Sequence, residues 1–523
     1  MIRCLAMIVL GVAALSAAMP LSRAEEPQRG GTLNVLVEPE PPSLMLGLNQ
    51  GGPTLTVGGK IYEALLTYEF DLTPRPWLAR SWSVSADGLT YTFELQEDVR
   101  WHDGVPFTAH DVVFTVETFL PETSPRARGL FGQVVSVTAV DDHTVRFKLD
   151  EPFFPFIYGF DVSTVPIVPK HIYEGTDFWN NPSNATPIGT GPFKFAEWAR
   201  GSHIRLGRNE DYWQDGKPYL DEVYFHVIPD ASSRAIALET GTVDVLRSGD
   251  IEYFDINRLA DLPGIEMTTK GWEIYSPVLW LQLNLRIPPF DDARFRQALM
   301  HAIDRAFIRD TIFFGFGRVA SGPIASTTLF HDPTIPRYEY DLDKARALLE
   351  EIGLGPGGKP TTVDLLLMPG EAYQRLGEYL RQQLAKLGID VRIEAADRAT
   401  WAQRLGSFDF EMTFNILSQL GDPALGVARN YVSSNILEGT PFGNNGGYVN
   451  PRVDALFEAA ATAAPATERQ RLYSEIQRIL IDDVPVIWLL EREYATLYRD
   501  HVHNLVTTTL ATNETFADVY IAR

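Results

Sequence analysis

The chain has 523 residues, 22% of them charged and 45% hydrophobic, with a formal net charge of −23 at pH 7. One hydrophobic core serves about 250–300 residues at most, so two or more lobes are expected. The strong acidity repels nucleic acid and anionic lipid, which argues against a polyanionic partner and for a soluble monomer.

Residues 1–24 read as a cleavable export signal. Arg3 supplies the positive start, Cys4 to Ala18 is an apolar run too short to span a bilayer, and Ser22-Arg23-Ala24 puts small residues at −3 and −1 before Glu25. Cleavage would remove Cys4, the only cysteine, leaving no disulfide, thiol nucleophile or cysteine metal site. It would also remove Arg3 and Arg23 and no acid, taking the net charge from −23 to −25.

Further along, Asp87-Gly88 is a turn dipeptide, after which Tyr91, Phe93 and Leu95 alternate with Thr90, Thr92 and Glu94 as a half-buried strand. His102-Asp103-Gly104 reads as a second turn rather than an acid/base or metal pair, and Thr108 with Asp111 as a capping-box-like helix start. Residues 135–149 form a hairpin around Asp141-Asp142, with Val145, Phe147 and Leu149 on one face. Residues 291–312 are read as one helix, and residues 343–352 as another closed by Gly353. From Glu371 to Glu394, a stripe of Leu376, Leu380, Leu384 and Leu387 stops at Gly388. Ile389, Val391 and Ile393 follow in alternation, a helix feeding a strand of an open α/β sheet. Thr467-x-x-Gln470 predicts a capping box before a helix that Pro485 ends, and Val486 to Leu490 a buried strand.

Several stretches, in order, resemble family 5 extracytoplasmic solute-binding proteins, the peptide and nickel receptors of ABC importers. They are Gly31-Thr32-Leu33, the Asp87–Asp111 segment, the Ile188–Lys194 loop (IGTGPFK), Arg208–Trp213 with Gly216–Asp221, Phe290–Arg305, Tyr340–Gly353, Asn450–Asp454 and Thr467–Leu490. The likeness spans about residue 30 to the end of the chain. It implies an α/β, two-lobed periplasmic-binding-protein-like clamp of type II, with an extra subdomain in lobe I and mixed sheets flanked by helices. Lobe I would be 25–284 plus 495–523 and lobe II 285–494, with crossings near Trp280–Asn284 and Tyr494–Tyr498. It further implies a periplasmic location, a small-molecule or peptide ligand held between the lobes, permease subunits of an ABC importer as partners, and no cofactor.

Peptide-binding members hold the ligand's ammonium with a lobe II aspartate, and Gln419 of Gln419-Leu420-Gly421-Asp422-Pro423 stands at that position. An arginine for the ligand carboxylate, expected after Met368-Pro369, has no clear counterpart. The resemblance and polarity nominate Ser43 and Asn49 on a lobe I loop, and Trp401, Asn415, Gln419, Asp422 and Arg429 on lobe II. Five of them have a plainer reading: loop polarity for Ser43 and Asn49, core for Trp401, a turn cap for Asp422, an ion pair for Arg429. Asn415 and Gln419 could both donate and accept in a polar cleft. The expected ligand is a peptide or peptide-like small solute; with both peptide anchors altered, the alternatives are an opine-like conjugate, an oligosaccharide or a metal complex. A hydrolase using cleft carboxylates is the rival class, but there is no HExxH, GxSxG or P-loop motif, and no GxGxxG that follows a strand. His501-x-His503 is the only close histidine pair for a metal receptor. A chaperone or signalling receptor built on the same clamp is a further rival.

Overall fold

A computed structural model describes residues 27–522. The expected export signal at 1–24 lies outside the described residues. Among the described residues, no helix is long and apolar enough to cross a membrane.

Two large mixed sheets organise the chain. In the seven-stranded sheet, Thr32–Leu36 is central, parallel to Glu222–His226 on one side and Val245–Arg247 on the other. Leu33 and Val35 are buried there, as their alternation with Thr32 and Asn34 requires. Thr496–Arg499, from the far end of the chain, runs antiparallel between Val245–Arg247 and Ile265–Thr268. The six-stranded sheet has Val278–Leu283 between Val486–Glu491 and Met412–Leu417, with Thr361–Leu367 and Ile389–Ala395 beyond. Every residue of Val278–Leu283 and of Val486–Glu491 is buried, as continuous apolar runs demand when both sheet faces are covered. A four-stranded antiparallel sheet carries the predicted strand Thr90–Leu95 and the hairpin Val134–Asp141/Thr144–Leu149.

The chain thus passes between the large sheets at residues 269–277 and 492–495. The first passage precedes the expected Trp280–Asn284, because the apolar VLWLQL run is a central strand of the six-stranded sheet, not a connector. The return begins just before the expected Tyr494–Tyr498. The two passages are tied where the Arg492 N–H donates to the Pro277 carbonyl at 2.8 Å. The Arg492 guanidinium stacks over Phe313 at 4.0 Å and lies 5.3 Å from the ring of Tyr253, one ring from each side of the joint.

Two local expectations fail. The helix predicted over 291–312 is interrupted: Ala293–Ala302 ends at an extended Ile303, and Asp304 caps a new turn by accepting from the Phe307 N–H at 2.9 Å. Asp favours that cap over continuing the helix, and the break lets buried Arg305 reach the carbonyls of Ala320 and Tyr338. The predicted capping box is also absent. The helix Ala466–Asp483 begins before Thr467, and the Gln470 amide donates to the Phe330 carbonyl at 3.2 Å. The Thr108–Asp111 start holds, with the Asp111 carboxylate accepting from the Thr108 N–H at 2.9 Å. His102 likewise serves the fold: its ring bonds the Gly191 carbonyl at 2.9 Å, and burial pushes its pKa down to about 4.

Candidate functional site

A cavity of about 860 Å³ lies between the region of the four-stranded sheet and the six-stranded sheet, and Ile274 and Tyr275 of the first passage also line it. Its first wall is built on the short helix Pro125–Leu130. Ser124 caps this helix by accepting from the Ala127 N–H at 3.2 Å, and Pro125 presets its first turn. That start presents Arg126 and Arg128 to the cavity. Gln50 stitches the wall together, accepting from the Ser124 hydroxyl and donating to the Thr164 carbonyl, both at 3.2 Å.

The same wall carries Tyr158, Asp161, Ser163 and Thr164. One Asp161 oxygen accepts from the N–H of Ser163 at 2.8 Å and from its hydroxyl, an Asx turn that fixes the loop. Arg126 donates to the Ser163 carbonyl at 3.4 Å. From the passage, Ile274 and Tyr275 complete this side, and burial pushes the Tyr275 phenol up to about 12.

The opposite wall comes from residues 420–442, with Leu425, Arg429 and Phe442 prominent. Gly426 seats this loop. A Cβ there would stand 2.2 Å from the backbone of Gln419, so only glycine permits the approach. Arg429 donates to the carbonyls of Gly426 at 3.1 Å and Ser418 at 3.0 Å. Burial, helped by the nearby Arg126 charge, pushes its pKa down to about 10, so it remains a cation at neutral pH. Among the described residues, Arg126, Arg128 and Arg429 form no ion pair.

Of the seven nominated residues, Arg429 alone lines this cavity. Gln419 is spent inside the six-stranded region: its carbonyl accepts from the Ala325 N–H and the Thr328 hydroxyl, and its amide donates to the Pro323 carbonyl. Asp422 is fully buried against Arg469 at 2.7 Å and caps Pro423–Gly426 by accepting from the Ala424 N–H. Trp401 is core, packed with Leu366, Leu405 and Phe410 and donating to the Thr413 hydroxyl at 2.8 Å. It backs the cavity indirectly, through Phe442 at 6.2 Å. Asn415 is buried in the strand Met412–Leu417, accepting from the Ile416 N–H. Ser43 and Asn49 line a different cavity of about 550 Å³, beside Trp198 and Arg200. Their oxygens accept from the local N–H groups of Met45 and Gly51. The residues that sequence reasoning passed over are Arg126, Arg128, Asp161 and Tyr275. The available signal was a Ser-Pro helix start followed by two arginines in an otherwise acidic chain.

The tail histidines do not converge on a shared point. His501 lies 3.3 Å from Asp244, while the His503 ring stacks on Tyr520.

Comparison with known proteins places this architecture. Residues 73–436 match the family described as bacterial extracellular solute-binding proteins, family 5 Middle. The probable D,D-dipeptide-binding periplasmic protein of Escherichia coli (strain K12) is 27% identical over 442 residues, covering 82% of this chain and 81% of that protein. A periplasmic binding protein of Helicobacter pylori, solved in complex with the peptide STSA, superposes with a TM-score of 0.80 at 28% identity. That likeness covers 95% of this chain and 99% of that one. A binding protein from A. tumefaciens R10, solved with agropinic acid, gives a TM-score of 0.77 at 25% identity, covering 94% and 99%. The match over most of its length makes this chain a member of the family 5 bacterial extracellular solute-binding proteins.

Proposed function

We propose that this chain is the periplasmic receptor of an ABC importer, a monomer that closes two lobes on a peptide or peptide-like solute and hands it unchanged to the permease. The lobes are taken as residues 27–268 with 496–522, and residues 278–491, joined by the two passages. The observation that carries this reading is the 860 Å³ cavity bounded by both lobes and by Tyr275 of the passage between them. That volume suits a ligand of a few residues, within the usual range of about 300–1,000 Å³ for enclosed small-molecule sites.

The physics of capture follows from the cavity's position. A ligand touching both walls binds the closed form better than the open one, and only that difference shifts the population. The passages at 269–277 and 492–495 are where such a hinge rotation would be absorbed. The relatives' ligands, a D,D-dipeptide by name, the STSA peptide and agropinic acid in solved complexes, support the solute class.

The test is a thermal-shift panel of di- and tripeptides, opine-like conjugates, oligosaccharides and metal salts on the mature chain. A cognate solute at 100 times its Kd stabilises by about 2.7 kcal/mol, and small-angle scattering on the same sample should show compaction. Stabilisation without compaction, or chemical alteration of the recovered solute, would contradict capture.

A further inference from the structure

Four side chains supply all the full charges on the wall of the interlobe cavity: Arg126, Arg128 and Arg429 against Asp161. In a protein of net charge −23, three guanidiniums facing one carboxylate invert the local sign. Arg126 and Arg429 also come from opposite walls, residues 125–164 and 420–442, so both flank whatever lies between.

Neither arginine is satisfied by the protein. A guanidinium has five N–H donors. Arg126 uses one on the Ser163 carbonyl, and Arg429 uses two, on Gly426 and Ser418. These acceptors are neutral, and Arg126 is close enough to disfavour the charge on Arg429. Closing the lobes over an empty cleft therefore brings like charges together with donors left over. An anionic group between them turns that repulsion into two charge-assisted contacts, which are about twice as strong as neutral hydrogen bonds. Asp161 has one oxygen engaged by Ser163, which leaves the other for a single cationic group on the same solute.

We infer that the captured solute carries a carboxylate or equivalent anionic group bridging Arg126 and Arg429, so that net-anionic solutes, acidic peptides or acid-bearing conjugates, are selected over cationic ones. This rests on the interlobe reading above, and it narrows the ligand by charge rather than by backbone termini.

The test uses the mature chain with Glu-Glu-Glu, Ala-Ala-Ala and Lys-Lys-Lys, and with citrate against sodium chloride at matched ionic strength, reading Tm and scattering. The expected result is stabilisation and compaction by the acidic tripeptide or citrate, at least tenfold stronger in midpoint than by the other probes. Arg126→Met and Arg429→Met should each weaken that response at least tenfold, Arg429→Lys less so, and Arg200→Met, in the other cavity, not at all. A stronger response to Ala-Ala-Ala or Lys-Lys-Lys, with compaction intact, would overturn the charge inference while leaving interlobe capture standing. An acidic-probe response unchanged in Arg126→Met and Arg429→Met, or no response to any probe at 10 mM, would also overturn it. Tm gains without compaction would count against interlobe capture itself.

Discussion

Arg469 and Arg429 are two guanidiniums of the same lobe, the first buried and the second half-buried, and the fold treats them differently. Arg469 meets both oxygens of Asp422, at 2.7 and 2.9 Å, and lies over the Phe330 ring at 4.6 Å. Burial pushes the Asp422 carboxyl up and Arg469 opposes it, so this ion pair is a closed unit of the core. Arg429 has only carbonyl oxygens and faces a cavity. A buried cation matched by a carboxylate is architecture, whereas a half-buried one left with neutral acceptors at a cavity wall keeps donors for a bound group. Sequence position hides the distinction, since Asp422 and Arg429 are seven residues apart on one loop.

The largest expected effect comes from breaking the closed unit. Asp422→Ala leaves Arg469 buried without a counter-charge, and equilibrium unfolding should show a loss of about 3–5 kcal/mol. A loss under 1 kcal/mol would mean the pair is not as enclosed as its geometry indicates.

Glu63 extends the comparison to a buried anion held only by neutral donors: the indoles of Trp77 and Trp213 and the hydroxyls of Tyr212 and Thr190. Burial raises its pKa from 4.5 to about 7. Between those values the folded state holds a proton that the unfolded state has released. This contribution to stability is therefore full below pH 4.5 and is lost as pH rises through 7, with a slope up to about 1.4 kcal/mol per pH unit. Glu63→Gln should flatten this part of the stability profile, and an unchanged slope would assign it to other groups.

At the cavity, Arg429→Met should leave folding stability within about 0.5 kcal/mol. It should weaken an acidic solute by about 2 kcal/mol, near thirtyfold, in calorimetric titration. Equal losses of folding and binding would place Arg429 with Arg469 as architecture. The smallest effect is expected at Gln419. Gln419→Glu replaces the amide that donates to the Pro323 carbonyl by a carboxylate that cannot, costing about 1–2 kcal/mol in unfolding. If it instead created affinity for a free α-ammonium, Gln419 would have to reach the ligand after all.

Much of the fold was legible because it is written locally. The alternation of Thr90–Leu95, the hairpin of residues 134–149 and the helix-strand unit Glu371–Ala385 to Ile389–Ala395 follow from periods of two and 3.6 that need no distant partner. The break at Ile303 was not, because it depends on Arg305 finding carbonyls at residues 320 and 338. The site was the least legible part. Arg126, Asp161, Tyr275 and Arg429 span three hundred residues and meet only through the way the sheets are stacked. Gln419 was nominated from the resemblance alone, but its amide is consumed by residues 323–328, a contact that no spacing announces.

The central claim is that solute lies between the walls, held from both sides by Arg126 and Arg429. A crystal structure of the mature chain grown with whichever probe or co-purified solute most raises its Tm tests this directly. The account predicts an anionic group within hydrogen-bond distance of both guanidiniums in the 860 Å³ cavity. Solute density elsewhere, such as the cavity beside Ser43 and Trp198, or a cationic group between the two arginines, would contradict it.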